Sequence, residues 1–328
     1  MKRFLLIALI LSMVFALAAC SGNNATKEET KPAETETTTA EKPEEKPEEE
    51  AEEEPEETEE PASESEYKRV VAGTVAVSEV LDALEFDDVV GMPVTAYEIP
   101  KRYEAAAKIG RPMEPDVEVV KSLEPDLFIS VESLKDANLA KLQTLGINSE
   151  FINLDSVDHI KESITFLGDL LSKEDNAKGL VKDIDDKIAQ LVEKAEGKET
   201  PNVLFLFGSP KAIMVGTPKS YVGSLIEKLG VHNVSEDIMP GTDAAYVPIN
   251  MESIINVDPD MIIRMTHASP EESKKMFDQE FSQSDVWKNM RAVKEGNVVD
   301  LENDYFSVSG SVKVAKSLEL LFNHIYGE

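Results

Sequence analysis

The chain has 328 residues, a formal net charge of −31 at pH 7 and a single cysteine. One cysteine excludes an internal disulfide framework. An acidic chain argues against nucleic acid, whose phosphates demand a basic surface.

The chain opens on Met1-Lys2-Arg3, a short basic head, followed by an apolar run over residues 4–19. The run is short for a membrane span and its positive charge precedes it, so residues 1–19 read as a secretory signal peptide. Leu17-Ala18-Ala19-Cys20 resembles the bacterial lipobox. That resemblance implies cleavage before Cys20 and a diacylglycerol on its sulfur; the alternative is an ordinary signal with a chance cysteine. Two acyl chains are what stable anchoring needs. Residues 20–66 are almost all Glu, Pro, Thr, Lys, Ala and Ser. They offer no hydrophobic periodicity, so they are expected to form a disordered, extended tether. Residues 1–66 hold 6 Lys/Arg against 19 Asp/Glu, which leaves −18 for the remainder.

A globular pattern begins at Tyr67. Residues 69–72 predict a strand, Gly73-Thr74 a turn, and residues 75–81 a helix. Residues 88–91 predict a strand, 117–123 a helix, 127–130 a strand and 139–145 a helix before Gly146. Apolar strands alternating with amphipathic helices mark an α/β lobe at 67–171. A second series fills 200–328: strands at 203–207, 261–263 and 297–300, a helix at 221–229 ended by Gly230, and a closing helix at 312–325. Between them, Leu180, Ile184, Ile188, Leu191 and Val192 recur at helical spacing. Residues 172–199 are therefore expected to form one long bridging helix.

The two series share a unit. Glu118, six residues, Pro125-Asp126 and an apolar strand are matched by Glu252, six residues, Pro259-Asp260 and an apolar strand. The unit reads as a short helix, a proline turn and a buried strand, and its recurrence points to a duplicated lobe. The expected fold is α/β, with two lobes built on parallel-rich sheets and joined by a single long helix.

This pattern resembles the cluster A, or type III, solute-binding proteins of siderophore, cobalamin and haem importers. In that family an acidic side chain near the tip of each lobe docks on an arginine of the permease. Those roles fall on Glu118 and Glu252, for which an ordinary helix-surface carboxylate is the alternative. The segments 109–118 and 263–277 resemble the haem-binding lipoproteins of iron-regulated surface determinant systems more closely. So do Lys219-Ser220-Tyr221-Val222-Gly223 and Asp285-Val286-Trp287-Lys288. The resemblance covers 67–326 and implies haem b as cargo in the interlobe cleft. Its iron would be held axially by Met113 and His267. It also implies an ABC-importer permease, surface haem donors upstream, a monomer, and a position on the outer face of a bacterial cell membrane. The long acidic tether and the Ala-Ser-Pro after His267 depart from the family without removing a ligand.

The residues agree with that chemistry. Met113 lies in Arg-Pro-Met-Glu-Pro-Asp, a stiff, non-helical loop whose charged neighbours weaken a core role. His267 closely follows an apolar strand, where α/β lobes place ligands, although a surface-loop histidine is the alternative. One Met and one His are too few for a zinc or manganese cage. They suit haem, whose porphyrin leaves only axial positions open. His159, His232 and His324 sit in helical contexts.

Propionate donors are sought at Thr74 and Ser78 near a helix start and in Lys101-Arg102-Tyr103. A cap or a surface charge is the alternative for each. Tyr97, Tyr221 and Tyr246 either pack on the porphyrin or fill the core. Rival readings are a siderophore or cobalamin receptor on the same scaffold and a tethered b-type cytochrome. No Cys-x-x-Cys-His motif supports the latter. Gly208-Ser209-Pro210 lacks the hydrolase elbow, so no enzyme is expected.

Overall fold

The computed structural model describes residues 65–267 and 269–327, which belong to one compact unit, Glu59–Glu328. The signal peptide, Cys20 and nearly all of the expected tether lie outside the described residues. In the N-terminal lobe the strands are β1 (Val70–Ala72), β2 (Val89–Met92), β3 (Ala107–Lys108), β4 (Gly110–Arg111), β5 (Glu114–Pro115), β6 (Leu127–Val131) and β7 (Ser149–Ile152). Its helices are α1 (Val75–Ala83), α2 (Val117–Ser122), α3 (Lys135–Thr144) and α4 (Val157–Leu170), and α5 (Glu174–Ala195) leads out of it. The C-terminal lobe begins with β8 (Val203–Ser209), β9 (Ala212–Gly216), α6 (Tyr221–Lys228), α7 (Ser235–Ile238), β10 (Tyr246–Pro248) and α8 (Met251–Val257). It closes with β11 (Met261–Thr266), α9 (Pro270–Gln283), α10 (Asp285–Asn289), α11 (Arg291–Glu295), β12 (Val298–Asp300) and α12 (Val314–Tyr326).

Every strand expected from the sequence forms. The first sheet has the order β3-β2-β1-β6-β7 and is parallel throughout. The second has the order β10-β9-β8-β11-β12, parallel across β8, β11 and β12 and antiparallel at β9 and β10. The central strands are buried on both faces, as continuous apolar runs in parallel sheets require.

The bridge differs in part from the expectation. The helix α5 spans 22 residues, about 33 Å. It buries Ile184, Ile188 and Leu191 on one stripe. However, the chain reaches it through α4, and the two helices pack together. A Cβ on Gly168 would come within 2.4 Å of the Ala177 Cβ, so small residues set that close approach. Ser172, in the left-handed region at φ 56°, turns the chain between them. One apolar cluster runs from Val70 and Leu127 through α5 to Phe205 and Leu321, so both lobes share a core.

The lobes also meet through segments leaving the carboxyl ends of their strands. Gly310 N–H donates to Leu154 O at 2.7 Å. Lys313 Nζ lies 2.5 Å from Glu79 Oε1 on α1.

Candidate functional site

In an open α/β sheet, ligands gather at the carboxyl ends of the strands where the strand order reverses. Here β1 is flanked by β2 and β6, and β8 by β9 and β11. The reversal points are therefore the ends of β1/β6 in one lobe and β8/β11 in the other. The first holds Gly73, Thr74 and Ser130; the second holds Phe207, Gly208 and His267.

At the first point Thr74 caps α1, its Oγ1 accepting from Val77 N–H at 3.2 Å. No acidic residue occupies the first turn of α1, so the helix dipole is uncompensated there. The Ser130 Oγ is buried without a hydrogen-bond partner, and it lies 2.9 Å from where a Gly73 Cβ would be. A buried, unpaired hydroxyl beside a bare helix start is a place for an anion. The sequence did not single out Ser130, which reads there as one more strand residue.

Three expected propionate donors are committed elsewhere. Ser78 is fully buried and donates to Val75 O at 2.7 Å. Tyr103 is in the core, its hydroxyl donating to Phe86 O at 2.5 Å. Burial, first, pushes the Tyr103 phenol well above the usual range, reinforced by Asp82. The Arg102 guanidinium pairs with Asp82 at 2.9 Å and with Asp87. Ser78 spends its hydroxyl on its own helix, whereas Arg102 and Tyr103 share one cause: the 3₁₀ turn Lys101–Tyr103 packs beside α1 and β2 and spends its polar groups there. Lys101 remains exposed, with no ion pair among the described residues. Tyr221 is buried in the shared core, and Tyr97 is exposed on the surface.

Met113 sits at the tip of the β4–β5 hairpin, which rises from the carboxyl ends of β2 and β3. Val94 N–H donates to Gly110 O at 2.7 Å and Asp116 N–H to Ile109 O at 2.7 Å, closing the base. Gly110 is left-handed at φ 89°, and a Cβ there would press on Asp116 N at 2.9 Å. Asn138 of α3 donates to Pro112 O at 3.1 Å and holds the tip. Met113 itself is 67% exposed. An apolar side chain presented that openly on a braced hairpin is no core filler.

His267 is the first residue after β11. Its N–H extends the ladder to Gly208 O at 2.9 Å, and its carbonyl accepts from Ser273 Oγ at 3.2 Å. The imidazole is half-buried beside Phe207, centroids 6.1 Å apart, and Phe207 in turn packs on Tyr246 at 4.6 Å. Burial holds its pKa below the ordinary 6.5, so the ring is neutral at neutral pH. Among the described residues no carboxylate pairs with it. The other histidines differ: His159 lies 2.6 Å from Asp155, His232 2.6 Å from Asp237 and His324 3.4 Å from Glu302. The Tyr246 hydroxyl is buried without a partner. Phe207 was missed in the sequence because an apolar strand residue looks the same whether it faces core or crevice.

Among the described residues no group of three or more His, Cys, Asp or Glu is placed to hold a metal ion. A hollow of about 340 Å³ between α8 and α10, lined by Ile255, Val286 and Met290, adjoins none of the candidate ligands. It lies away from both reversal points. No described helix is long and apolar enough to cross a membrane.

Glu118 and Glu252 occupy the same place in the two lobes. Each is exposed in the first turn of its helix, behind an N-cap whose side chain accepts a backbone N–H, Asp116 for α2 and Asn250 for α8.

The model of the periplasmic binding protein family matches residues 70–305. The chain belongs to that family. Among relatives of this solute-binding protein, the high-affinity heme uptake system protein IsdE of Staphylococcus aureus strain Newman is 38% identical over 260 residues. That alignment covers 79% of this chain and 87% of that protein. The crystal structure of S. aureus IsdE complexed with heme superposes with a TM-score of 0.74 at 37% identity, covering 79% of this chain and 98% of that one. An ABC transporter substrate-binding protein from Listeria monocytogenes EGD-e gives a TM-score of 0.74 at 31% identity, covering 80% and 99%. The doubly lobed α/β architecture expected from the sequence is that of this family.

Proposed function

We propose that the protein is a lipid-anchored receptor that captures haem between its lobes and delivers it to an ABC permease for iron acquisition. In this reading Cys20 carries the lipid, residues 20–66 form the tether, and the lobes divide at 171 and 199. The Met113 thioether and the His267 imidazole take the two axial positions of the cargo iron. The carrying observation is the His267 ring, half-buried at a reversal point, neutral, and free of any carboxylate partner among the described residues. The exposed thioether of Met113 on the opposite lobe supports it, as does the kinship with a heme uptake protein.

The remaining parts of the crevice suit the rest of the ligand. Phe207 and Tyr246 give the porphyrin an apolar face. A propionate fits the α1 start, with the Thr74 region supplying amides and Ser130 a hydroxyl; Lys101 is a second, exposed candidate. Both axial ligands are neutral, which raises the iron potential relative to anionic ligation. Glu118 and Glu252 dock the two lobes on permease arginines.

Haem titration tests the reading. The wild type is expected to give a sharp Soret band, which a siderophore or cobalamin receptor would not. Met113→Ala and His267→Ala should each change the spectrum. Unchanged spectra in both variants would refute the axial assignment.

A further inference from the structure

We propose that Arg264 is the positioning residue for the His267 imidazole. The inference rests on the reading above, in which that ring is an axial ligand of the cargo iron. The loop bearing His267 is suspended between the end of β11 and the start of α9. Its N–H is fixed to β8 and its carbonyl to Ser273 of α9. Ser269, left-handed at φ 60°, turns the chain into Pro270 at the head of that helix. The direction of the ring therefore depends on how α9 is seated against β11.

Arg264 does the seating. It lies on β11, three residues before His267, and is only 7% exposed. Its guanidinium forks onto Asp300 of β12 with two bonds of 2.7 Å and reaches Asp278 of α9 at 3.3 Å. The same group lies against the rings of Phe277 and Phe281 of α9, 5.3 and 5.1 Å from their centroids. Lys274 of α9 closes the cluster, 2.6 Å from Asp300 and 3.6 Å from Asp278. Two cations and two carboxylates thus join β11, β12 and α9 with no net charge.

An apolar residue beside the two phenyl rings would cost little stability, since replacing a buried ion pair by apolar groups of similar volume is often neutral. What an apolar residue cannot do is fix rotation. A planar fork that binds a carboxylate through two parallel bonds while packed against two aromatic rings is held to one orientation. The neighbouring Phe277 ring also presses on Gly208, where a Cβ would come within 2.3 Å, and Gly208 O holds the His267 N–H. One residue thus governs both anchors of the ligand loop. Groups outside the coordination shell can set the direction of a metal-binding histidine, and Arg264 would do so through the anchors of the loop.

The test uses the full-length chain in detergent, with Arg264→Met, Arg264→Lys and His267→Ala. Absorption and electron paramagnetic resonance spectra are read beside the rate at which apomyoglobin strips the haem. Arg264→Met is expected to bind haem with a high-spin fraction and to lose it about 10- to 100-fold faster. Added imidazole should restore the low-spin spectrum. Arg264→Lys, which keeps the charge and loses the fork, should behave like the Met variant. Wild-type spectra and stripping rates in both variants, with only the melting temperature lowered, would overturn the proposal. A His267→Ala spectrum equal to wild type would instead remove the ligation reading, and this inference with it. Should Arg264→Met not fold, Lys274→Met, whose side chain is 47% exposed, cuts only the outer half of the cluster. It should shift the spectrum in the same direction by less, and no shift there also overturns the proposal.

Discussion

Asp126 and Asp260 carry out one task in the two lobes: each carboxylate accepts a backbone N–H at 2.8 Å, from Lys68 and from Asn202. Each bond ties the turn before a buried strand to the residues leading into the neighbouring strand. The turns match in further detail. Two residues earlier stand left-handed Glu124 at φ 46° and Asp258 at φ 39°. An arginine covers the carbonyls at each helix end, Arg69 on Leu123 and Glu124, Arg291 on Asp258. Replacing either aspartate by alanine is expected to cost about 1–2 kcal/mol, the worth of a hydrogen bond to a charged group near the surface. Asp260→Ala should cost more, because Asp260 also pairs with Arg291 at 2.5 Å. Urea midpoints measure both; wild-type midpoints would show that the turns stand without these bonds.

This repeat was legible in the sequence because proline, aspartate and an apolar run are each local signals with a fixed structural meaning. The bridging helix was legible for a similar reason, since Ile184, Ile188 and Leu191 keep helical period. What could not be read was decided by tertiary placement. α9 buries only Ser273, Phe277 and Phe281, too sparse a stripe to mark a helix. β9 and β10 are short and pair antiparallel at a sheet edge. Ser78 and Tyr103 carry the same hydroxyls as any ligand-binding residue. Only the fold reveals that Val75 O and Phe86 O already use them. Met113 and His267 were reached through family resemblance, because one isolated Met and one loop His carry no pattern of their own.

Gly310 passes between the lobes where no side chain fits. A Cβ there would meet the Tyr221 ring at 2.3 Å and Ile160 at 2.6 Å, and both residues are fully packed. Gly310→Ala is therefore expected to lower stability by about 1–3 kcal/mol through overpacking. It should also speed haem loss, because the Gly310–Leu154 bond is one of the ties across the crevice. Thermal melts and apomyoglobin transfer report the two effects separately. A variant that melts and releases like wild type would show that the lobes yield freely at this contact.

Glu118 and Glu252 stand outside every ion pair among the described residues, and neither touches the core. Reversing both charges, Glu118→Lys with Glu252→Lys, should leave the haem spectrum unchanged and lower the melting temperature only slightly, through the two helix dipoles. Delivery to a permease in proteoliposomes should fall sharply, since each lysine would face an arginine across the contact. Undiminished delivery by the double variant would remove the docking role of this pair.

The pH dependence of cargo retention follows from the state of one ring. Burial alone places the His267 pKa below 6.5 in the folded chain, and iron binds only the neutral imidazole. Well above 6.5 the ring is neutral whether folded or unfolded, so both retention and this residue's part in stability are at full strength. As pH falls through 6.5 the unfolded chain takes up a proton first, and stability declines. Retention holds until the lower, folded value is passed. Below it affinity drops about tenfold per pH unit, one proton competing with one metal bond. Stripping rates measured across about pH 5 to 8 should therefore bend on the acid side of 6.5. The bend should vanish in His267→Ala. Were retention to weaken already above 6.5, or the variant to keep the same profile, the titrating group would lie elsewhere and the imidazole would not be the ligand that protons displace.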